Sequence, residues 1–340
     1  MANLPDDEYK FISSMMHPSP ADQWSPVVHR KLGSGINLYQ LTEGVYDMGA
    51  DFPFTQDDQN RIREHLDEEG RLPSMRFGMC VVRLPNGTNI LLDAGLGPWM
   101  PEIRKCSCHP VPEEPPHPLS VLLERINLSF DDVHFVVYSH CHGDHVGWTA
   151  SFPNAIHCLH RREYEFATYV GCPWRNDAAK RFEPLEKAGK LRTFTGEKTV
   201  LDEAKAPEVS LVLVDGHTPG HVCVEINDGT ESAMYVGDAM HFILQVERPE
   251  LVPLFDCCAW KVRSFLPFGG DNVETTWMPS MLQKPNSWND STSARSRRKL
   301  LKLISDNKSL LISPHFSHPG MGYVTEDADG KFAFSKAKEA

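Results

Sequence analysis

The sequence predicts an α/β protein of the α+β kind, an αββα sandwich in which two sheets lie back to back with helices outside. Three observations carry that expectation. Short, wholly apolar runs alternate with helix-spaced segments along most of the 340 residues. The alternation occurs in two similar halves, and several of the runs end in a His or an Asp. Strands apolar along their whole length need cover on both faces, which a layered architecture supplies.

In chain order, residues 1–33 read as an irregular, Pro-containing leader, and residues 34–340 as a single domain. Residues 36–54 (INLYQLTEGVYDMGADFPF) read as strand segments broken by glycine, and 56–70 as a short polar helix. MRFGMCVVRL (75–84) and TNILLDAG (88–95) flank Pro85-Asn86-Gly87, a turn sequence that makes them a hairpin. HPLSVLLERINL (117–128) has helical spacing of Leu and Val, and HFVVYS (134–139) is a buried strand. A strand at 155–160, a helix at 162–170 and a helix around 183–190 follow. VSLVLVDG (209–216), HVCVEIND (221–228) and SAMYVGD (232–238) supply three more strands, and 293–307 is the last clear helix. Residues 241–289, with scattered aromatics and prolines, read as a cover over the active site.

Composition narrows the function. A chain that is 41% hydrophobic can bury a large core, and a net charge of −12 without a long basic run argues against a nucleic-acid partner. The acidic opening MANLPDDEYKF has no apolar signal core, and no apolar run is long enough to span a bilayer. The expectation is a cytoplasmic protein without a membrane partner. Nine cysteines in no disulfide-framework spacing suit reduced thiols. Cys106-Ser107-Cys108-His109 has no second pair to complete a structural zinc site, and Cys257-Cys258 has no adjacent cation to activate a thiol.

The chemistry concentrates in Ser139-His140-Cys141-His142-Gly143-Asp144-His145, directly after a strand. Imidazole nitrogens and a carboxylate at this spacing are ligands for zinc and similar divalent ions. Gly216-His217-Thr218-Pro219-Gly220-His221, Gly237-Asp238 and His315 each follow a further apolar run, so all can gather at one rim of the sheets.

Taken in order, HCHGDH, GHTPGH, Gly237-Asp238 and His315, with Leu91-Leu92-Asp93-Ala94-Gly95 upstream, resemble the signature of the metallo-β-lactamase-fold hydrolase superfamily. The resemblance spans about residues 76–325 and is greatest to the branch of methyl parathion hydrolase and its lactonase relatives. It implies that His140, His142 and His221 bind one metal ion, that Asp144, His145 and His315 bind a second, and that Asp238 bridges them. It implies two divalent ions, Zn2+ first, with Mn2+, Fe2+ or Co2+ fitting the same donors. A hydroxide generated between the ions would attack a carbonyl or phosphorus, with Asp144 passing a proton to the leaving group.

Asp93 and His217 are expected to brace the ligands rather than bind metal. Trp99, Phe242, Phe255 and Trp260 are candidates for an apolar substrate wall. The expected substrate is a small lactone or hydrophobic aryl ester, with phosphotriester hydrolysis as a side activity, and the leader and cover are candidate surfaces of a homodimer. A thioesterase of the glyoxalase II type, an iron-dependent oxygenase and a non-catalytic binding module are the alternatives on the same fold.

Overall fold

A computed structural model of the chain describes residues 17–18, 25–49, 62–66, 71–97, 117–168, 175–201, 208–253 and 292–338. Strands β1 (His17–Pro18), β2 (Val27–Lys31), β3 (Asn37–Gly49), β4 (Arg71–Arg83), β5 (Asn89–Leu92), β6 (Phe135–Val137), β7 (Ile156–His160) and β8 (Leu191–Phe194) form one sheet. Its order is β1-β3-β4-β5-β6-β7-β8, with β2 paired to β3. Strands β9 (Lys198–Val200), β10 (Val209–Leu213), β11 (Val222–Asn227), β12 (Ser232–Tyr235), β13 (Leu310–Ile312), β14 (Met321–Glu326) and β15 (Phe332–Lys336) form the other, in the order β15-β14-β13-β12-β11-β10-β9.

The Pro-Asn-Gly turn does what its chemistry predicts. β4 and β5 pair antiparallel with Arg83 opposite Asn89, and the turn closes through Gly87 N–H to Leu84 O at 3.0 Å. From β5 to β8 the pairing is parallel, so each connection must cross over the sheet. Helix Leu119–Glu124 makes the first crossover and buries Leu119, Leu122 and Leu123 against Val81, Leu91 and Val136. Helices Arg161–Thr168 and Arg175–Lys187 make the last.

Between the sheets, Leu38, Val82, Leu92 and Val137 meet Leu211, Val224, Tyr235 and Ile312. Outside the second sheet, helix Thr292–Asn307 packs Leu300, Leu301 and Ile304 over Cys223, Met234 and Leu311. Both faces of β5, β6 and β13 are therefore covered, and every residue in them is buried. That is why these runs are apolar throughout instead of alternating.

Three readings need correction. Part of the stretch expected to be irregular leader is strand: Val27–Lys31 pairs residue for residue with Asn37–Leu41, because residues 32–36 turn the chain back on itself. Within the expected polar helix at 56–70, the described residues 62–66 hold one 3-10 turn, Arg63–His65. The helix expected around 183–190 begins earlier and runs Arg175–Lys187, carrying Pro184 inside it.

Of the expected cover, residues 241–253 are described and contain a helical turn at Leu244–Glu247; Phe255 and Trp260, like Trp99, lie outside the described residues. Among the described residues, Cys80, Cys141, Cys158 and Cys223 are buried, and no helix is long and apolar enough to cross a membrane.

Candidate metal centre

Six strand ends deliver the polar residues to one rim. β5 leads into Asp93, β6 into His140–His145, β7 into Glu163, β10 into His217, β12 into Asp238, and β13 into His315. The parallel run β5-β6-β7 and the parallel pair β12-β13 put these ends on the same side.

Asp238 stands at the centre. Its Oδ1 lies 2.9 Å from His315 Nε2 and 3.0 Å from His145 Nε2. Its Oδ2 lies 3.1 Å from His217 Nε2, 3.0 Å from His241 Nε2 and 3.5 Å from His140 Nε2. One carboxylate thus faces two groups of imidazoles. His217 Nε2 is also 3.1 Å from His140 Nε2 and 2.9 Å from His142 Nδ1. Asp144 Oδ2 closes the other side, 3.4 Å from His145 Nε2 and 3.8 Å from His315 Nε2.

The outward nitrogens are set by bonds behind them. His315 Nδ1 donates to Arg76 O at 2.7 Å, which fixes the tautomer that presents Nε2. Asp93 accepts from His145 Nδ1 at 2.8 Å, from Ser139 N–H at 2.6 Å, from the Ser139 hydroxyl at 2.8 Å and from Tyr235 at 2.7 Å. With its carboxylate engaged in this way, Asp93 orients His145 from behind. Its φ of 63° is a conformation that non-glycine residues rarely hold outside over-determined sites.

His217 and His221 exchange the places expected of them. His217 enters the cluster, whereas His221 turns Nδ1 to Val214 O (3.2 Å) and receives the Asp238 N–H on Nε2 at 3.0 Å. The physical reason is the turn itself: Gly216 N–H bonds to Thr218 O at 3.1 Å, folding His217 back over the His140–His145 loop while His221 directly precedes the next strand. Gly237, at φ 47°, lies so close that an added Cβ would stand 2.7 Å from His221 Nε2.

His241 is the residue the sequence reading missed. It follows Asp238 by three positions, just inside the expected cover, and stacks on His315 with ring centroids 5.4 Å apart. Gln245 pins it by accepting its N–H at 2.7 Å, and buried Arg297 donates to Ala239 O, Pro249 O and Leu251 O to hold the whole segment. A cavity of about 320 Å³ opens beside His241 and His315, with Leu72, Pro73, Phe242 and Leu244 on its walls.

Charge explains what the cluster wants. Burial drives His140 well below its ordinary pKa and His142 to about 3, so both offer neutral nitrogens. Burial also opposes charge on His145, but Asp238, Asp144 and Asp93 outweigh it and hold that imidazole well above its ordinary value. Burial opposes charge on Asp238 too, and His145, His315 and His241 overcome it, keeping the carboxyl well below the usual range. The carboxylates therefore call for positive charge here.

His145 Nε2 is buried and makes no hydrogen bond, and it faces the shared point between the Asp144 and Asp238 carboxylates, 3.4 Å and 3.0 Å away. The groups His140–His142–His217–Asp238 and Asp144–His145–His315 each bring their ligand atoms within 4.8 Å of one another. Such donor sets fit divalent cations.

The sequence profile of the Metallo-beta-lactamase superfamily matches residues 76–315. The chain belongs to that superfamily. Among superfamily relatives, the N-acyl homoserine lactonase AttM of Agrobacterium fabrum (strain C58) is 35% identical over 98 residues, 28% of this chain and 36% of the relative. The match thus spans about a third of that relative's length. Two solved structures share the fold over nearly the whole chain. AbOPH, a hydrolase in the beta lactamase superfamily, aligns with a TM-score of 0.68 at 17% identity over 93% of this chain and 99% of its own. AidC, described as a dizinc quorum-quenching lactonase in complex with a product, aligns with a TM-score of 0.64 at 19% identity over 92% of this chain and 98% of its own.

Proposed function

We propose that this protein is a dinuclear metal-dependent hydrolase that opens lactones and cleaves hydrophobic esters. The observation that carries the reading is the placement of Asp238 between two imidazole groups, with its two oxygens facing opposite ways. In this reading His140, His142 and His217 would hold one divalent ion, Asp144, His145 and His315 would hold the second, and Asp238 would serve both groups. Zinc suits these donors, and manganese, iron or cobalt fits the same set. When bound, such ions lower the pKa of water toward neutrality and polarise a carbonyl or phosphoryl oxygen.

The chain's own residues do the rest. Asp144 is the more open carboxylate, its side chain 23% exposed against 5% for Asp238. As a carboxylate it is therefore placed to accept the proton that the attacking water loses and then hand it to the departing alkoxide. His241, 3.0 Å from Asp238 Oδ2 and lining the cavity, presents an imidazole where a substrate oxygen would approach. Phe242, Leu72 and Leu244 favour an apolar acyl or aryl group. The acyl-homoserine lactones after which AttM is named are the first candidates.

The test is proton release by zinc- and manganese-loaded protein on lactones, aryl esters, thioesters and phosphotriesters, with chelator-treated protein as blank. Metal-dependent opening of lactones or aryl esters ahead of the other classes is the expected result. Preference for thioesters, or oxygen uptake in place of hydrolysis, would overturn it.

A further inference from the structure

Glu163 lies outside the ligand set, yet its one carboxylate touches both loops that supply the first group of imidazoles. It is 1% exposed, near the start of the helix Arg161–Thr168. One oxygen accepts the N–H of Cys141, between His140 and His142, at 3.0 Å. The other accepts the N–H of Gly220, in the turn that carries His217, at 3.1 Å. The helix abuts that turn directly: a Cβ on Gly220 would stand 2.1 Å from Glu163 N. At their base the two loops are also tied by Val222 N–H to Ser139 O at 2.9 Å. Burial pushes the Glu163 carboxyl above its ordinary value, against the pull of the groups that donate to it.

We infer that Glu163 is a positioning residue that fixes the spacing between the His140–His142 loop and the His217 loop, and thereby sets the affinity of the first metal site without touching the metal. The inference rests on the two-ion reading above. Residues behind metal ligands typically govern affinity by about 10–100-fold when removed. Because the two hydrogen bonds of Glu163 go to Cys141 and Gly220, in the loops of the first group, its effect should be confined to one of the two ions.

The experiment is stepwise cobalt or zinc titration against a chromophoric chelator, with wild-type protein, Glu163→Ala and Glu163→Gln, and circular dichroism to check folding. Wild type is expected to bind two ions. Glu163→Ala should bind one of them about 10–100-fold more weakly and the other unchanged. Gln keeps one acceptor oxygen but turns an NH2 toward the other N–H, so its loss should fall between the two, and it serves alone if the Ala variant does not fold. Unchanged affinity for both ions in a folded variant overturns the inference, as does equal weakening of both, which would mark a purely structural role. Wild-type protein that binds no pair of ions would instead overturn the two-ion reading and the inference with it.

Discussion

His217 holds its Nε2 3.1 Å from Oδ2 of Asp238, while His221, four residues on in the same motif, points its Nε2 at the Asp238 backbone N–H. The two histidines act on the same aspartate from opposite sides, one facing its carboxylate and the other steadying its main chain.

Exchanging them for alanine should therefore give unlike results. His217→Ala removes a nitrogen from the cluster and is expected to lose tight binding of one ion, with turnover down at least about 100-fold, the upper end for supporting residues. His221→Ala leaves the Asp238 N–H unpaired at a cost of about 1–3 kcal/mol in stability, with both ions still bound. Metal analysis after dialysis and thermal denaturation separate the two.

Most of the residues gathered at this rim were legible in the sequence, because each follows an apolar strand and strand ends on one rim converge. The His217/His221 exchange was not, because GHTPGH offers two equivalent histidines and only the folded turn decides which faces inward. His241 escaped because it sits beyond the Gly237-Asp238 step in a segment without periodicity. Strand β2 escaped for a similar reason: it is a half-exposed edge segment with polar His29, Arg30 and Lys31 and little apolar pattern.

Arg297 is predicted to matter to catalysis from a distance. Its guanidinium is buried and satisfies three carbonyls between residues 239 and 251, the segment that carries His241 and Phe242. Arg297→Ala should cost about 3 kcal/mol or more in unfolding free energy and depress turnover together with it. Denaturant melts and steady-state kinetics on the same preparation check both.

Glu43 makes stability depend on pH. Burial raises its carboxyl to about 8, against the hydrogen bonds it accepts from Trp148 and Leu96, each at 2.5 Å. Between the ordinary value of 4.5 and about 8 the folded chain keeps this proton and the unfolded chain has lost it. The folded state then binds more protons, so the contribution of Glu43 to stability falls as pH rises through that window and levels off above it. Urea melts of wild type and Glu43→Gln from pH 5 to pH 9 should show a shallower decline in the variant; parallel curves would contradict the assignment.

Phe242 is expected to read the substrate's apolar part. Phe242→Leu keeps most of the packing but reshapes the cavity beside His241, and kcat/KM for a long-acyl lactone should fall by about 10-fold, the worth of one to two lost methylene contacts. A short-acyl lactone should change less. Equal loss on both would place the acyl group elsewhere.

The measurement that goes most directly to the central claim is the metal content of wild-type protein and Asp238→Ala after equilibration with zinc and exhaustive dialysis. Asp238 faces both imidazole groups, so the account predicts about two ions per wild-type chain and neither retained tightly in the variant. Two ions held at wild-type affinity by a folded Asp238→Ala protein would contradict it.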